Sequence, residues 1–189
     1  MSICSTPLPQ LRLAATALAI ALGITLVGPV AAQDDGMLMA PEGAGTTTEP
    51  EVFQDWAMRC EQPGGPETRA CYAYHRVLME ETDQAVLSVA VGFAPDGEAA
   101  MLVLLPLGVN LPPGLLVRVD EGEELAYQYD TCLPRGCQTI LLLDDDLLGQ
   151  FRRGLAGEVT FMDLDGRTIG VSFPLTGFTA AFNAAREAR

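Results

Sequence analysis

The chain contains no lysine; its 11 basic residues are all arginine, and it has one histidine, His75, and one tryptophan, Trp56. The missing lysine excludes a reaction that passes through a lysine Schiff base. The lone histidine excludes a multi-histidine metal site, although it leaves a general base possible. Beyond residue 32 the only serines are Ser88 and Ser172, both within strand-like patterns and neither in a nucleophile-elbow context, so a serine hydrolase has little footing. Positive charge is scarce: 11 basic against 25 acidic residues give a formal charge of −14. Such a surface repels phosphate backbones and anionic headgroups, which argues against nucleic-acid and peripheral membrane partners. No internal repeat of useful length appears.

What is present begins with a leader. Arg12 precedes an apolar run from Leu13 to Val27, then the helix breaker Gly28-Pro29, then Val30-Ala31-Ala32 with small residues where a signal peptidase reads them. This layout predicts a secretory signal spanning residues 1–32, cut between Ala32 and Gln33. An uncleaved anchor is the alternative, because roughly 20 apolar residues just span a bilayer. Asp34-Asp35 after the block, in place of basic residues, favours cleavage and hence no membrane span in the mature chain. Cleavage removes Arg12 and no acid, taking the formal charge to −15. Residues 33–50 mix Gly, Pro, Thr and acids without periodicity and read as a disordered tether, leaving residues 51–189 as one domain.

Cys4 lies ahead of the leader's apolar block, where no lipid attachment is expected, while Cys60, Cys71, Cys132 and Cys137 form an even set behind it. An even set in an exported chain is a disulfide framework. Four cysteines allow three connectivities. Local pairing is the simplest of them, with ten residues between Cys60 and Cys71 and four between Cys132 and Cys137. A zinc site favours closer spacing, and a thiol-redox pair normally has two intervening residues, so these are lesser readings.

The apolar segments are short, rich in Val, Leu and aromatics, and separated by turn residues, the pattern of strands. Leu87, Val89, Val91 and Phe93 alternate with Ser88, Ala90 and Gly92; Leu115, Val117 and Val119 alternate in the same way. Val159–Phe161 and Ile169–Phe173 flank Asp165-Gly166, which predicts a two-residue hairpin turn with both positions at positive φ. Met101–Leu105 is apolar on both faces, which suits a covered central strand or one that packs against a partner. If the Met101–Leu107 run were exposed at an edge, it would be a docking strand. The proline-rich PLGVNLPPG of residues 106–114 must turn the chain or carry it between sheets.

Two segments are helical. Leu147, Leu148 and Phe151 share a face behind Asp144-Asp145-Asp146, with Arg152-Arg153 in the last turn and Gly154 as a stop; Phe178, Ala181, Phe182 and Ala185 follow helical spacing. Seven to nine strands and two short helices describe a mainly β sandwich with helical decorations.

Candidate chemistry is thin. His75 falls on the same strand face as Cys71 and Ala73, the position of a hydrogen-bonded structural histidine. Glu121, Glu123 and Glu124, then Asp144–Asp146, then Asp163 and Asp165 are acid clusters, but Asp163-Leu164-Asp165-Gly166 lacks the distal glutamate of a calcium loop. Capping accounts for Asp144–Asp146 and turn chemistry for Asp163–Gly166. The sequence leaves a glycosidase-type carboxylate pair open, because its members can be far apart in the chain.

One ordered set of landmarks remains: Asp55-Trp56, Cys60, Cys71, LPLGVNLPPGLLVRVD at residues 105–120, Cys132, Gly136-Cys137, Arg152-Arg153-Gly154 and PLTGFTAAF at residues 174–182. From about Phe53 to about Ala185 this set resembles the invasion-associated locus B family of alphaproteobacterial exported proteins. The resemblance implies an immunoglobulin-like β-sandwich in the periplasm or cell envelope of a Gram-negative bacterium, with no catalytic residue, metal or cofactor to carry over. It matches Cys60 with Cys71 and Cys132 with Cys137 as disulfides, and Trp56 with an aromatic core slot. The expected function is a non-enzymatic interaction module for an envelope or host-surface protein. The alternatives are a periplasmic enzyme using His75 or a carboxylate pair, and a thiol-redox or chaperone accessory using Cys132 and Cys137.

Overall fold

Side chains that alternate with a period of two fold here into two stacked antiparallel sheets; the computed structural model describes residues 46–62 and 66–189. The expected leader, its expected Ala32/Gln33 cleavage point and residues 33–45 of the expected tether lie outside the described residues. The tether's last residues do not behave as expected. Strand β1 (Thr46–Thr47) already pairs with β3 (Trp56–Gln62), and β2 (Glu51–Phe53) pairs with β3 as well.

The large sheet continues from β3 through β4 (Ala70–Leu78), β5 (Ala85–Phe93), β6 (Ala99–Leu105), β10 (Gly136–Leu142) and β9 (Thr131–Leu133). The small sheet has the order β12 (Thr168–Pro174), β11 (Ala156–Met162), β7 (Leu115–Val119) and β8 (Leu125–Tyr127). Among the described residues twelve strands replace the seven to nine expected, since β1, β2, β8 and β9 are only two or three residues long. β3 to β6 form an up-and-down meander, so the immunoglobulin likeness lies in the stacked-sheet architecture rather than in the connectivity. The segment 106–114 carries the chain from β6 in one sheet to β7 in the other, the crossing its prolines require.

The core lies between the sheets and is closed by two helices. α1 (Asp145–Arg153) is capped by Asp144, whose carboxylate accepts from the Leu147 N–H at 2.8 Å, and buries Leu147, Leu148 and Phe151. α2 (Phe178–Glu187) buries Phe178, Ala181, Phe182 and Ala185 and packs on β2, β3, β4 and β5. Trp56 anchors this end. It is buried, donates from Nε1 to the Pro174 carbonyl at 2.9 Å, and meets the rings of Phe173 and Phe178. Gly177 opens α2 at φ +92°, and a Cβ there would collide with the carbonyl of Phe53. Only glycine satisfies both conditions.

The β11–β12 hairpin forms, but with residues 163–167 in its loop, because Met162 pairs with Thr168. The Asp163 carboxylate accepts from the N–H groups of Asp165 and Arg167 and organises a wider turn in which only Gly166, not Asp165, has positive φ. Met101–Leu105 lies in β6, hydrogen-bonded on both sides to β5 and β10. It is therefore a central strand, and docking at it as an exposed edge is ruled out.

Candidate functional site

The four cysteines join in two disulfides between directly facing residues, Cys60–Cys71 across β3 and β4 and Cys132–Cys137 across β9 and β10. Their Cα atoms are 4.0 Å and 3.9 Å apart. Cys60 and Cys71 are buried, whereas Cys132 is exposed at the end strand β9. His75 donates from Nδ1 to the Asp55 carbonyl at 2.5 Å and rests 5.9 Å from the Trp56 ring. That contact ties β4 to the β2–β3 turn, a structural role.

Each acid cluster has at least one member held in a local contact. Asp163 binds the Arg167 side chain, and the backbone N–H of Arg167 holds its carboxyl below the usual range, aided by the guanidinium. Glu124 and Glu158 share Arg118, at 3.6 Å and 3.1 Å. Asp120, at φ +49°, accepts from the Leu155 and Ala156 N–H groups and pins β7 to the start of β11. Among the described residues no three His, Cys, Asp or Glu side chains are placed to share a metal ion, and no helix is long and apolar enough to cross a membrane.

The most site-like chemistry lies on the outer face of the large sheet, away from the core. Alternation puts Trp56, Met58 and Cys60 inward and therefore Arg59 and Glu61 outward; in β4 it sends Tyr72, Tyr74 and Arg76 outward. Arg59, Glu61 and Tyr72 are nonetheless buried. Arg59 Nε donates to the Tyr72 hydroxyl at 2.8 Å, that hydroxyl donates to Glu61 in a short hydrogen bond, and Arg59 Nη2 lies 3.4 Å from Glu61 Oε1. The guanidinium stacks over Tyr74, 5.0 Å from the ring centre. Burial alone would lower the Arg59 pKa, but the Tyr72 hydrogen bond and the Glu61 charge leave it above its ordinary value. Burial, with Glu61 accepting its proton, raises the Tyr72 hydroxyl strongly.

Beside this network the face opens into a cleft of about 380 Å³ lined by Arg59, Tyr74, Arg76, Ser88, Leu104 and Arg135, with Leu78, Asp83, Gln84 and Ala85 at its side. Strand register builds its floor, since Arg76 faces Ser88, Ser88 faces Leu104 and Leu104 faces Gln138 in one row across four strands. Arg135 reaches in from the β9–β10 turn and donates to Gln138 Oε1 at 3.3 Å. Next to the cleft, Leu102 faces Ile140, and Ile140 and Leu142 are more than half exposed. From sequence Ser88 was named only as a poor nucleophile candidate and Leu102 and Leu104 only within the apolar run, while the arginines were not singled out. The available signal was parity, because polar Arg59/Glu61 and Tyr74/Arg76 alternate with the apolar face.

Comparison with known proteins places this geometry in context. The family described as invasion associated locus B (IalB) protein matches residues 56–186. An invasion protein B homolog of Brucella abortus is 26% identical over 140 residues, covering 74% of this chain and 80% of that protein. Invasion protein B of Bartonella bacilliformis is 24% identical over 125 residues, covering 66% of this chain and 64% of its own length. The crystal structure of invasion associated protein b from Bartonella henselae superposes with a TM-score of 0.66 at 19% identity, over 75% of this chain and 98% of that one.

Proposed function

This chain belongs to the invasion associated locus B family, and we propose that it is an exported envelope module that binds a protein partner rather than catalysing a reaction. The outer face of the large sheet carries this reading. A face that only met water would be polar at its outward positions. Here Leu104, Ile140 and Leu142 form a partly exposed apolar strip whose β6 end adjoins Arg76 and Arg135. An apolar strip with a polar rim has the composition of a protein–protein contact. Its basic side fits a partner that offers an apolar segment flanked by acids.

Export is supported by the disulfides, which form and persist in oxidising compartments, and by the leader ending at Ala32. On this reading the partner belongs to the envelope or a host-cell surface; relatives bear the name invasion protein B.

Site-directed photocrosslinking of the tagged protein in its native envelope tests the proposal. A photoreactive side chain at Ile140 should capture a stoichiometric protein, while one at Ser172 on the small sheet should not. Capture from both positions alike, or from neither, would sink the reading.

A further inference from the structure

We infer that the cleft over Tyr74, Ser88 and Leu104 is a binding site for a small molecule bearing an oxyanion, a carboxylate or phosphate group, held between Arg76 and Arg135. This goes beyond partner binding, although both readings use Arg76 and Arg135.

The lining of the cleft points to the site first. Arg59, Arg118 and Arg167 each have a carboxylate within ion-pair distance, whereas Arg76 and Arg135 have none among the described residues. Arg69, Arg152, Arg153, Arg186 and Arg189 lack one as well, so what distinguishes Arg76 and Arg135 is that both line one cleft. The second observation is that Arg135 Nε, like Arg118 Nε on the small sheet, is buried without a hydrogen-bond partner among the described residues. A buried donor of this kind costs stability unless something accepts from it. A carboxylate or phosphate is the acceptor that the planar guanidinium fork matches best.

The surroundings are built for a ligand rather than for bulk water. Arg59, fixed by Tyr72 and Glu61, forms a rigid wall against the Tyr74 ring, and Gln138 holds Arg135 in place. Ser88 supplies a hydroxyl, while Leu78, Leu104 and Tyr74 supply an apolar side for a short carbon body. The volume, about 380 Å³, lies at the small end of the range for ligand pockets, roughly 300–1,000 Å³. Because Glu61 already neutralises Arg59, the net attraction comes from Arg76 and Arg135, tempered by Asp83 at the rim.

Calorimetric titration of the protein purified from its own cells, at low ionic strength, with inorganic phosphate and with succinate tests the site. At least one probe should bind saturably and weaken with added salt. Arg76→Gln and Arg135→Gln should each weaken that binding about tenfold or more. Asp83→Asn should tighten it a few-fold, and Arg167→Gln, on the other sheet, should leave it unchanged. Arg76 is exposed, so its variant tests binding without endangering the fold. Binding by phosphate alone assigns a phosphate ester, and by succinate alone an organic acid. The inference is overturned if neither probe binds, if both cleft-arginine variants bind like the unaltered protein, or if Arg167→Gln weakens binding equally.

Discussion

The two faces of the large sheet are made by the same strands and obey opposite rules. The inner face is apolar almost throughout, from Trp56 and Met58 on β3 to Leu87, Val89 and Val91 on β5 and Met101 and Val103 on β6. Each residue there contributes by leaving water, and neighbours of similar volume serve nearly as well. The outer face buries Arg59, Glu61 and Tyr72 at one end and exposes Ile140 and Leu142 at the other. Its interior members depend on one another, because removing one partner strands a charge. Burial specifies this sandwich, while the outward parity is free to carry features that the fold does not need.

Breaking the inner face should produce the largest effect. Trp56→Ala removes a ring that touches Phe173 and Phe178 and bonds Pro174, so a loss of about 4 kcal/mol is expected in urea denaturation. On the outer face, Glu61→Gln should cost about 3 kcal/mol by leaving Arg59 buried without its carboxylate. Replacing Arg59 and Glu61 by Met together with Tyr72→Phe should recover most of that loss. If the triple variant is instead the least stable of the set, the mutual dependence described for this face is wrong.

The disulfides extend the contrast to covalent links. Removing Cys60–Cys71 by paired serine substitution should cost about 3 kcal/mol and removing Cys132–Cys137 about 2 kcal/mol, following the loop each closes. Under mild reductant, mass spectrometry should find Cys132 and Cys137 alkylated first, because Cys132 is exposed while Cys60 and Cys71 are buried.

The smallest effect involves tyrosines on the two sides. Burial pushes the Tyr129 hydroxyl from 10.0 up to about 12, and Tyr72 is raised as well. Groups raised in the folded state stabilise it fully below the unfolded tyrosine value near 10 and lose that contribution as pH climbs through the folded value. Urea midpoints should therefore hold to about pH 9 and fall beyond about pH 10. Tyr129 packs against the core but has a buried hydroxyl without a partner among the described residues, so Tyr129→Phe should be stabilising by up to about 1 kcal/mol and should soften the alkaline fall.

What was legible in the sequence was local. The alternation of Leu115, Val117 and Val119, the cap at Asp144 and the helical spacing from Phe178 each rest on contacts within a few residues, and each holds. The Asp165-Gly166 turn was misjudged in type because Asp163, two residues earlier, captures the backbone first. Met101–Leu105 reads alike whether a strand is central or at an edge, since only pairing with β5 and β10 decides it. The cleft was not legible for the same reason. Arg59, Arg76, Ser88 and Arg135 meet through strand register, a property that no window of the chain contains.

Gly177 seals the last helix against the carbonyl of Phe53, so the opening and closing segments of the domain complete each other. Phe178–Glu187 follows all the described strands in the chain. Until this helix docks, Trp56 and its neighbours on β3 and β4 lack their cover. A chain in which this helix has come loose therefore carries an open apolar side of the kind that proteases recognise.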